Sequence, residues 1–205
     1  NIKNFCGKPI IAYSIQAAKK SKLFSRIIVS TDSNRIAKIA KKYGAEVPFT
    51  RPKKLSDDYT GTVEVMAHAV NLIKKSDTNI LGACCIYPTA PFIQANDLLA
   101  AWKIFKSGKW KSVFTATSYS YPVFRSFQKN INGGLKMLYP NLFNKRSQDL
   151  NKVMHDAGQF CWAKPKDWIN KKLGFNNRST VIELPSWRVQ DIDTLADWKR
   201  AELKY

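Results

Sequence analysis

Between Pro9 and Thr117 the chain keeps changing its apolar period, and this alternation limits the folds open to it more than any other feature. Pro9 to Lys20 carries Ile11, Ile15 and Ala18 at helical spacing, with Gly7 before it and Pro9 suited to a first turn. Arg26 to Ser30 is a short β-branched run. Ser33 to Tyr43 returns to the helical period through Ile36, Ile39, Ala40 and Tyr43, and Gly44 stops it. Glu46 to Phe49 has strand character, and Thr60 to Lys75 is helical through Val63, Met66, Ala67, Val70 and Ile73. Ile80 to Tyr87 is apolar throughout, which fits a strand covered on both faces. Ala95 to Lys106 is helical through Leu98, Trp102 and Phe105, and Ser112 to Thr117 is again a strand. Strands and helices exchanged through short links predict an α/β domain on a mixed, mostly parallel sheet.

The second half breaks this rhythm. Ser118 to Asp156 brings Tyr, Pro, Asn and Gly in quick succession, and Asn132-Gly133-Gly134 marks a hairpin. Residues 118–156 therefore read as an excursion from the sheet. Gly158 to Lys164 and Thr180 to Leu184 resume strand character, and Thr194 to Leu203 closes as a helix with Thr194 and Asp197 spaced as a capping box. With no repeat or low-complexity linker, residues 1–205 read as a single domain.

Charge is the outstanding compositional feature: 34 Lys and Arg against 15 Asp and Glu, a formal +19. The pairs Lys19-Lys20, Lys41-Lys42 and Lys74-Lys75 recur singly at helix ends, as solvated faces do. No basic run is interleaved with aromatics, so no nucleic-acid partner is expected. The longest apolar run is too short to span a bilayer, so no membrane role is expected either. Asn1 to Phe5 is polar and does not resemble a secretory leader. Cys6, Cys84, Cys85 and Cys161 form no CxxC pair and only two His residues exist, which argues against zinc and for buried thiols in a reducing, cytoplasmic setting.

In an open α/β sheet, ligands bind beyond the carboxyl ends of the strands. Three segments end there: Ser30-Thr31-Asp32, Tyr87-Pro88-Thr89-Ala90-Pro91, and Gln190-Asp191-Ile192-Asp193-Thr194. In extended chain the i, i+2 spacing puts the Asp191 and Asp193 carboxylates on one side, with Ile192 on the other. Such a pair suits Mg²⁺, which takes hard oxygens and completes its shell with water and phosphate. Acidic residues before a helix also favour its dipole, and spacing leaves both readings open. Asp32 or Ser33 serves as a helix cap. Arg51 is a lone loop cation that suits a base edge or a phosphate, while His68 and His155 read as structural or exposed. No Ser-His-Asp, Cys-His or complete glycine-rich phosphate motif is present. The residues alone lead to an α/β domain with an anionic ligand.

Taken in order, several segments resemble the CMP-sialic acid synthetase (acylneuraminate cytidylyltransferase) family. They are Asn1 to Ile11; Ser30-Thr31-Asp32; Arg51-Pro52 with Leu55-Ser56, Asp58, Thr60 and Thr62; Tyr87 to Pro91; Arg146 with Gln148-Asp149; and Asp191-Ile192-Asp193. Gln is common in the family where Tyr87 stands. Within the family, Asp156-Ala157-Gly158-Gln159-Phe160 with an aromatic pair resembles the branch that activates pseudaminic acid, although Cys161 replaces the usual Tyr. The resemblance implies a Rossmann-like nucleotidyltransferase fold, usually homodimeric, whose excursion reaches the partner's site. It implies Mg²⁺-dependent transfer of CMP from CTP to a nine-carbon acidic sugar. Asp191 and Asp193 would hold the metal; Asn1, Arg51 and Thr60 the nucleotide; Tyr87, Thr89, Arg146, Gln159 and Phe160 the sugar. The family's first strand and phosphate loop fall before Asn1, and the full-length protein is expected to carry them. The alternatives are sialic, legionaminic or 3-deoxy-octulosonic acid as the sugar, or a non-catalytic polyanion-binding module.

Overall fold

The computed structural model describes residues 1–205. The chain opens with a small antiparallel pair, β1 (Asn4–Phe5) and β2 (Lys8–Pro9), and then enters helix α1 (Ile11–Ser21). Pro9 thus pairs in a strand instead of lying in the helix's first turn. Helix α2 (Asn34–Lys42) starts where Ser33 caps it, the hydroxyl accepting from the Ile36 amide at 3.4 Å. Helix α3 spans Thr62–Ser76, strand β3 Ala83–Ile86, helix α4 Ala95–Lys106 and strand β4 Ser112–Ser118. The excursion follows, carrying the hairpin β5 (Phe127–Lys129) and β6 (Leu135–Met137) at the predicted Asn-Gly-Gly turn. Strand β7 (Met154–Ala163), helix α5 (Pro165–Ile169), strand β8 (Ser179–Glu183) and helix α6 (Leu195–Lys204) complete the chain.

The central sheet has the order β3-β7-β4-β8. β4 and β8 are parallel, whereas β7 runs antiparallel to both β3 and β4. The α/β class and the mixed sheet hold, but the parallel share is smaller than the alternation implied. The reason is the excursion, which returns the chain beside β4 at the same edge it left, so β7 must run backwards. Because Ser118 pairs with Met154, the excursion proper is residues 119–153. The segments at 26–30 and 46–49 form only one parallel bridge, Ile28 with Glu46, with backbone bonds of 2.9 and 2.7 Å. They pair with each other alone, and a ladder this short does not extend without a further neighbour.

Helix α4 buries Leu98, Ala101 and Phe105 at helical spacing against Val113, Phe160, Trp162, Ile182 and Leu184 of the sheet. Phe24 stacks flat on Trp162, with ring centroids 5.1 Å apart. Each fully buried side chain of this size stabilises by about 1.5–3 kcal/mol, so this layer anchors the sheet face on which the strand-end loops stand. A second core joins Ile11 and Ile15 of α1 to Ala40 and Ala45, with Ile27, Val29 and Val47 packed against it. No helix is long and apolar enough to cross a membrane.

Candidate active site

Strands β3, β4 and β8 all point the same way, so their carboxyl ends share one edge of the sheet. Three features meet along that edge: the loop after β3 (Tyr87 to Gln94), the loop after β8 (Leu184 to Thr194), and the two roots of the excursion. Between them lies a break in the β4–β7 ladder. Phe114 pairs with Cys161 and Ala116 with Asp156, leaving Thr115 alone opposite residues 157–160. The extra residues are folded into the bulge by three local bonds. The Asp156 carboxylate accepts from the Gly158 amide at 2.9 Å, and Gly158 takes a left-handed φ of +60°. The fully buried Thr115 hydroxyl accepts from the Gln159 and Phe160 amides at 3.3 and 3.4 Å. Bulges of this kind re-aim side chains beside functional sites, and here the Asp-Ala-Gly-Gln-Phe motif supplies the turn acceptor, the left-handed residue and the re-aimed amide.

That amide belongs to Gln159, which is buried and donates from Nε2 to the Arg188 carbonyl at 2.7 Å. Its Oε1 has no hydrogen-bond partner within the protein, and a buried carbonyl oxygen left this way is costly unless a ligand supplies a donor. Phe160 points into the main core at 1% exposure. It packs beneath the edge among Leu98, Val113 and Trp162, whereas Gln159 is turned toward the Arg188 carbonyl. Tyr87 is half-buried; its amide donates to the Gln159 carbonyl at 2.9 Å and its own carbonyl accepts from Ser14 of α1 at 2.7 Å. Burial pushes the Tyr87 phenol above its ordinary pKa, partly offset by a hydrogen bond with Thr62. Thr89 lies two residues further along the same loop.

On the second loop, Asp191 and Asp193 are exposed and flank Ile192, which packs against the cluster of Phe5, Ile10 and Phe92. Two exposed acidic residues thus flank a half-buried, inward-packed Ile192. Neither carboxylate has an ion-pair partner, although Asp191 Oδ1 accepts from the Ile192 amide at 3.1 Å. Asp197 is occupied in the reciprocal cap with Thr194: the Thr194 amide donates to it at 2.9 Å and the Asp197 amide donates back to Oγ1 at 3.2 Å. Hydrogen bonds from Thr194 and Arg200 hold the Asp197 carboxyl well below the usual carboxylate range. No group of three or more His, Cys, Asp or Glu side chains is gathered for a metal. Two free carboxylates nevertheless suit Mg²⁺, which binds through one or two of them and keeps water and substrate phosphate on its other positions.

The remaining sequence-selected residues are more engaged than the sequence suggested. Arg51 is not a lone cation: it lies 3.9 Å from the Asp32 carboxylate, and its Nε donates to Ser56 Oγ at 3.0 Å. Its amide also donates to the Thr31 carbonyl at 3.0 Å, which ties the Ser-Thr-Asp segment to the Arg-Pro loop. Thr60 lies just outside α3 and bonds Asp57 through its amide at 2.7 Å and its hydroxyl at 2.8 Å. Those bonds lower the Asp57 pKa. Exposed Asn1 accepts from the Ile11 amide at 3.2 Å. Arg146, in the excursion, forks onto Asp149 at 2.8 and 3.2 Å and is exposed. His68 sits edge-on to Phe49, and exposed His155 lies against Tyr119. Sequence reasoning missed Ser14, Asp97, Thr115 and Arg188, whose partners are remote in the chain.

Residues 1–128 match the Cytidylyltransferase family profile. The chain belongs to the cytidylyltransferase family. It is 39% identical to a pseudaminic acid cytidylyltransferase of Campylobacter jejuni over 205 residues, all of this chain and 88% of that protein. It is 30% identical to a CMP-N,N'-diacetyllegionaminic acid synthase of Legionella pneumophila, covering 98% of this chain and 87% of the relative. Among solved structures, a CMP:2-keto-3-deoxy-manno-octonic acid synthetase complexed with CTP superposes with a TM-score of 0.69 over 98% of this chain and 89% of its own. At 12% identity that likeness supports the nucleotidyltransferase-like α/β fold alone.

Proposed function

We propose that this cytidylyltransferase transfers CMP from CTP to the anomeric hydroxyl of pseudaminic acid and releases pyrophosphate. The 39% identity over all 205 residues of this chain to an enzyme named for that sugar carries the reading. The exposed, unpaired Asp191 and Asp193 at the carboxyl edge agree with it. The hydroxyl oxygen attacks the α-phosphorus, the bond to the bridging oxygen breaks so that pyrophosphate leaves with its electron pair, and the hydroxyl proton passes to water. Asp191 and Asp193 would hold Mg²⁺, which when bound would supply neutralisation of the charge that develops on the phosphate oxygens. Arg51, Asn1 and Thr60 hold the cytidine end, with Asp32 and Ser56 fixing the guanidinium of Arg51. Tyr87, Thr89 and Gln159 face the sugar, the free Oε1 of Gln159 accepting from a sugar hydroxyl or amide, and Phe160 supports them from the core.

The excursion presents exposed Tyr121, Phe127, Ile131, Leu135 and Phe143, with Arg146 among them. Apolar surface of that extent suits association, and we assign it to a second copy whose active site receives Arg146. Arginine grips a phosphate or carboxylate bidentately, so Arg146 would leave Asp149 for the substrate. Sedimentation should then show a homodimer that Tyr121→Lys with Phe127→Lys converts to monomer. Four free cysteines suit work in the reducing cytoplasm.

The deciding assay is pyrophosphate release by the full-length protein with CTP and Mg²⁺, offering pseudaminic, legionaminic, sialic and 3-deoxy-octulosonic acids. Selective use of pseudaminic acid is expected. Asp191→Ala and Asp193→Ala should each cost roughly 100-fold or more in kcat, as removal of transition-state charge stabilisation does. Preference for another of the sugars discards the branch, and full activity in both variants discards the metal assignment.

A further inference from the structure

The reaction proposed above needs two loops at a fixed separation: Tyr87 to Gln94, which carries the sugar-facing residues, and Leu184 to Thr194, which carries the acidic pair. One side chain ties them together. Arg188 forks onto Asp97, with Nη1 and Nη2 donating to the two carboxylate oxygens at 2.7 and 3.0 Å. Both side chains are nearly buried, at 10% and 12% exposure. Asp97 lies in the first turn of α4, directly after the first loop, and its Oδ2 also accepts from the Gln94 amide at 3.1 Å. The same carboxylate thus caps the helix and holds the fork. The main chain at Arg188 is gripped as well: Gln159 donates to its carbonyl at 2.7 Å, and Lys204 of α6 donates to the Val189 carbonyl at 2.8 Å. Three elements therefore converge on the chain just before Asp191.

We propose that Arg188 and Asp97 are positioning residues, which set the Asp191–Asp193 pair against the Tyr87–Thr89 loop so that metal, phosphate and sugar meet. This rests on the reaction proposed above and on Asp191 and Asp193 as the metal-holding pair. A buried ion pair is weak as a source of stability, since apolar residues of similar volume often hold a core as well. What a fork adds is direction, through two parallel N–H···O bonds of fixed geometry. Residues that orient metal ligands from one layer behind cost 10- to 100-fold in affinity or rate when changed.

The test uses the full-length protein as Arg188→Lys, as Asp97→Asn, and as the apolar double variant Arg188→Met with Asp97→Leu. The exposed fork between Arg26 and Glu46, at 2.6 to 3.2 Å, provides the control Arg26→Lys. Three quantities are read: thermal unfolding, Mn²⁺ affinity by electron paramagnetic resonance with CTP present, and kcat and KM from pyrophosphate release. Arg188→Lys and Asp97→Asn should weaken Mn²⁺ binding and lower kcat by roughly 10- to 100-fold, with the KM for CTP little changed. The double variant should lose as much while unfolding near the wild-type temperature, and Arg26→Lys should match wild type. Wild-type Mn²⁺ affinity and kcat in a folded Arg188→Lys protein, or in the double variant, would overturn the proposal and leave the pair structural. If instead Asp191→Ala binds Mn²⁺ as wild type does, the metal assignment fails and the proposal falls with it.

Discussion

Gly158 offers the sharpest test of how the bulge is built. It holds a φ of +60° between the Asp156 acceptor and the re-aimed Gln159, and an added Cβ would have nothing within 4 Å. Gly158→Ala therefore meets no clash, and its whole cost is conformational. Left-handed backbone costs an L-residue roughly 1–2 kcal/mol. In a chain of this size each kcal/mol moves the melting temperature by about 2–4 °C, so the loss should be about 2–8 °C. Asn tolerates this region better than Ala, so Gly158→Asn should lose distinctly less, and the β-branched Gly158→Val should lose most. Differential scanning calorimetry of the four proteins reads the order directly. Equal losses for Ala and Asn, or a neutral Ala, would show that Gly158 is not held by its φ and that the Asx-type turn does not shape the bulge.

Three further outcomes concern the α6 cap, its carboxylate and the thiols. Thr194→Ala removes the cap of α6 and should cost about 1 kcal/mol by urea denaturation. The Asp197 carboxyl has a lower pKa folded than unfolded, so the unfolded chain takes up the proton first. Its contribution is complete above the unfolded carboxylate value of about 4 and is lost as pH falls through the folded value. Asp197→Asn should therefore flatten the acid limb of a stability–pH curve and leave the neutral limb's slope unchanged. The thiols divide by burial: desolvation pushes Cys85 up to about 12 and raises Cys84 and Cys161 as well, whereas Cys6 is exposed. A colourimetric disulfide reagent at pH 8 should titrate one thiol in the folded protein and all four in guanidinium.

What could be read from the sequence was what local chemistry determines. The span of α4, the Ser33 cap, the reciprocal Thr194–Asp197 cap and the inward turn of Ile192 all follow from patterns a few residues long. The Asn-Gly-Gly hairpin belongs with them. Strand direction did not, because β7 is antiparallel only by virtue of where the excursion returns. The segment at 26–30 had a strand's composition, yet a strand is defined by its neighbours, and this one finds only Glu46. The burial of Phe160 could not be read in the sequence, since bulge geometry decides which way each side chain turns. The Arg188–Asp97 fork was invisible for a simpler reason: it joins positions 91 apart, and neither residue is unusual in its own segment.

The excursion leaves the sheet at Ser118 and rejoins it at Met154, which face each other across one rung, and the Tyr119 amide bonds the Val153 carbonyl at 3.2 Å just beyond. Topologically, β4 and β7 are then a plain hairpin whose tip has been elaborated. The two rails are already in register, so a tight turn can replace the whole insertion without disturbing any pairing below it. Closing a shorter loop also costs less chain entropy. Shortening that tip would therefore remove Arg146 and its apolar neighbours while leaving the pairing of the sheet below it as it is.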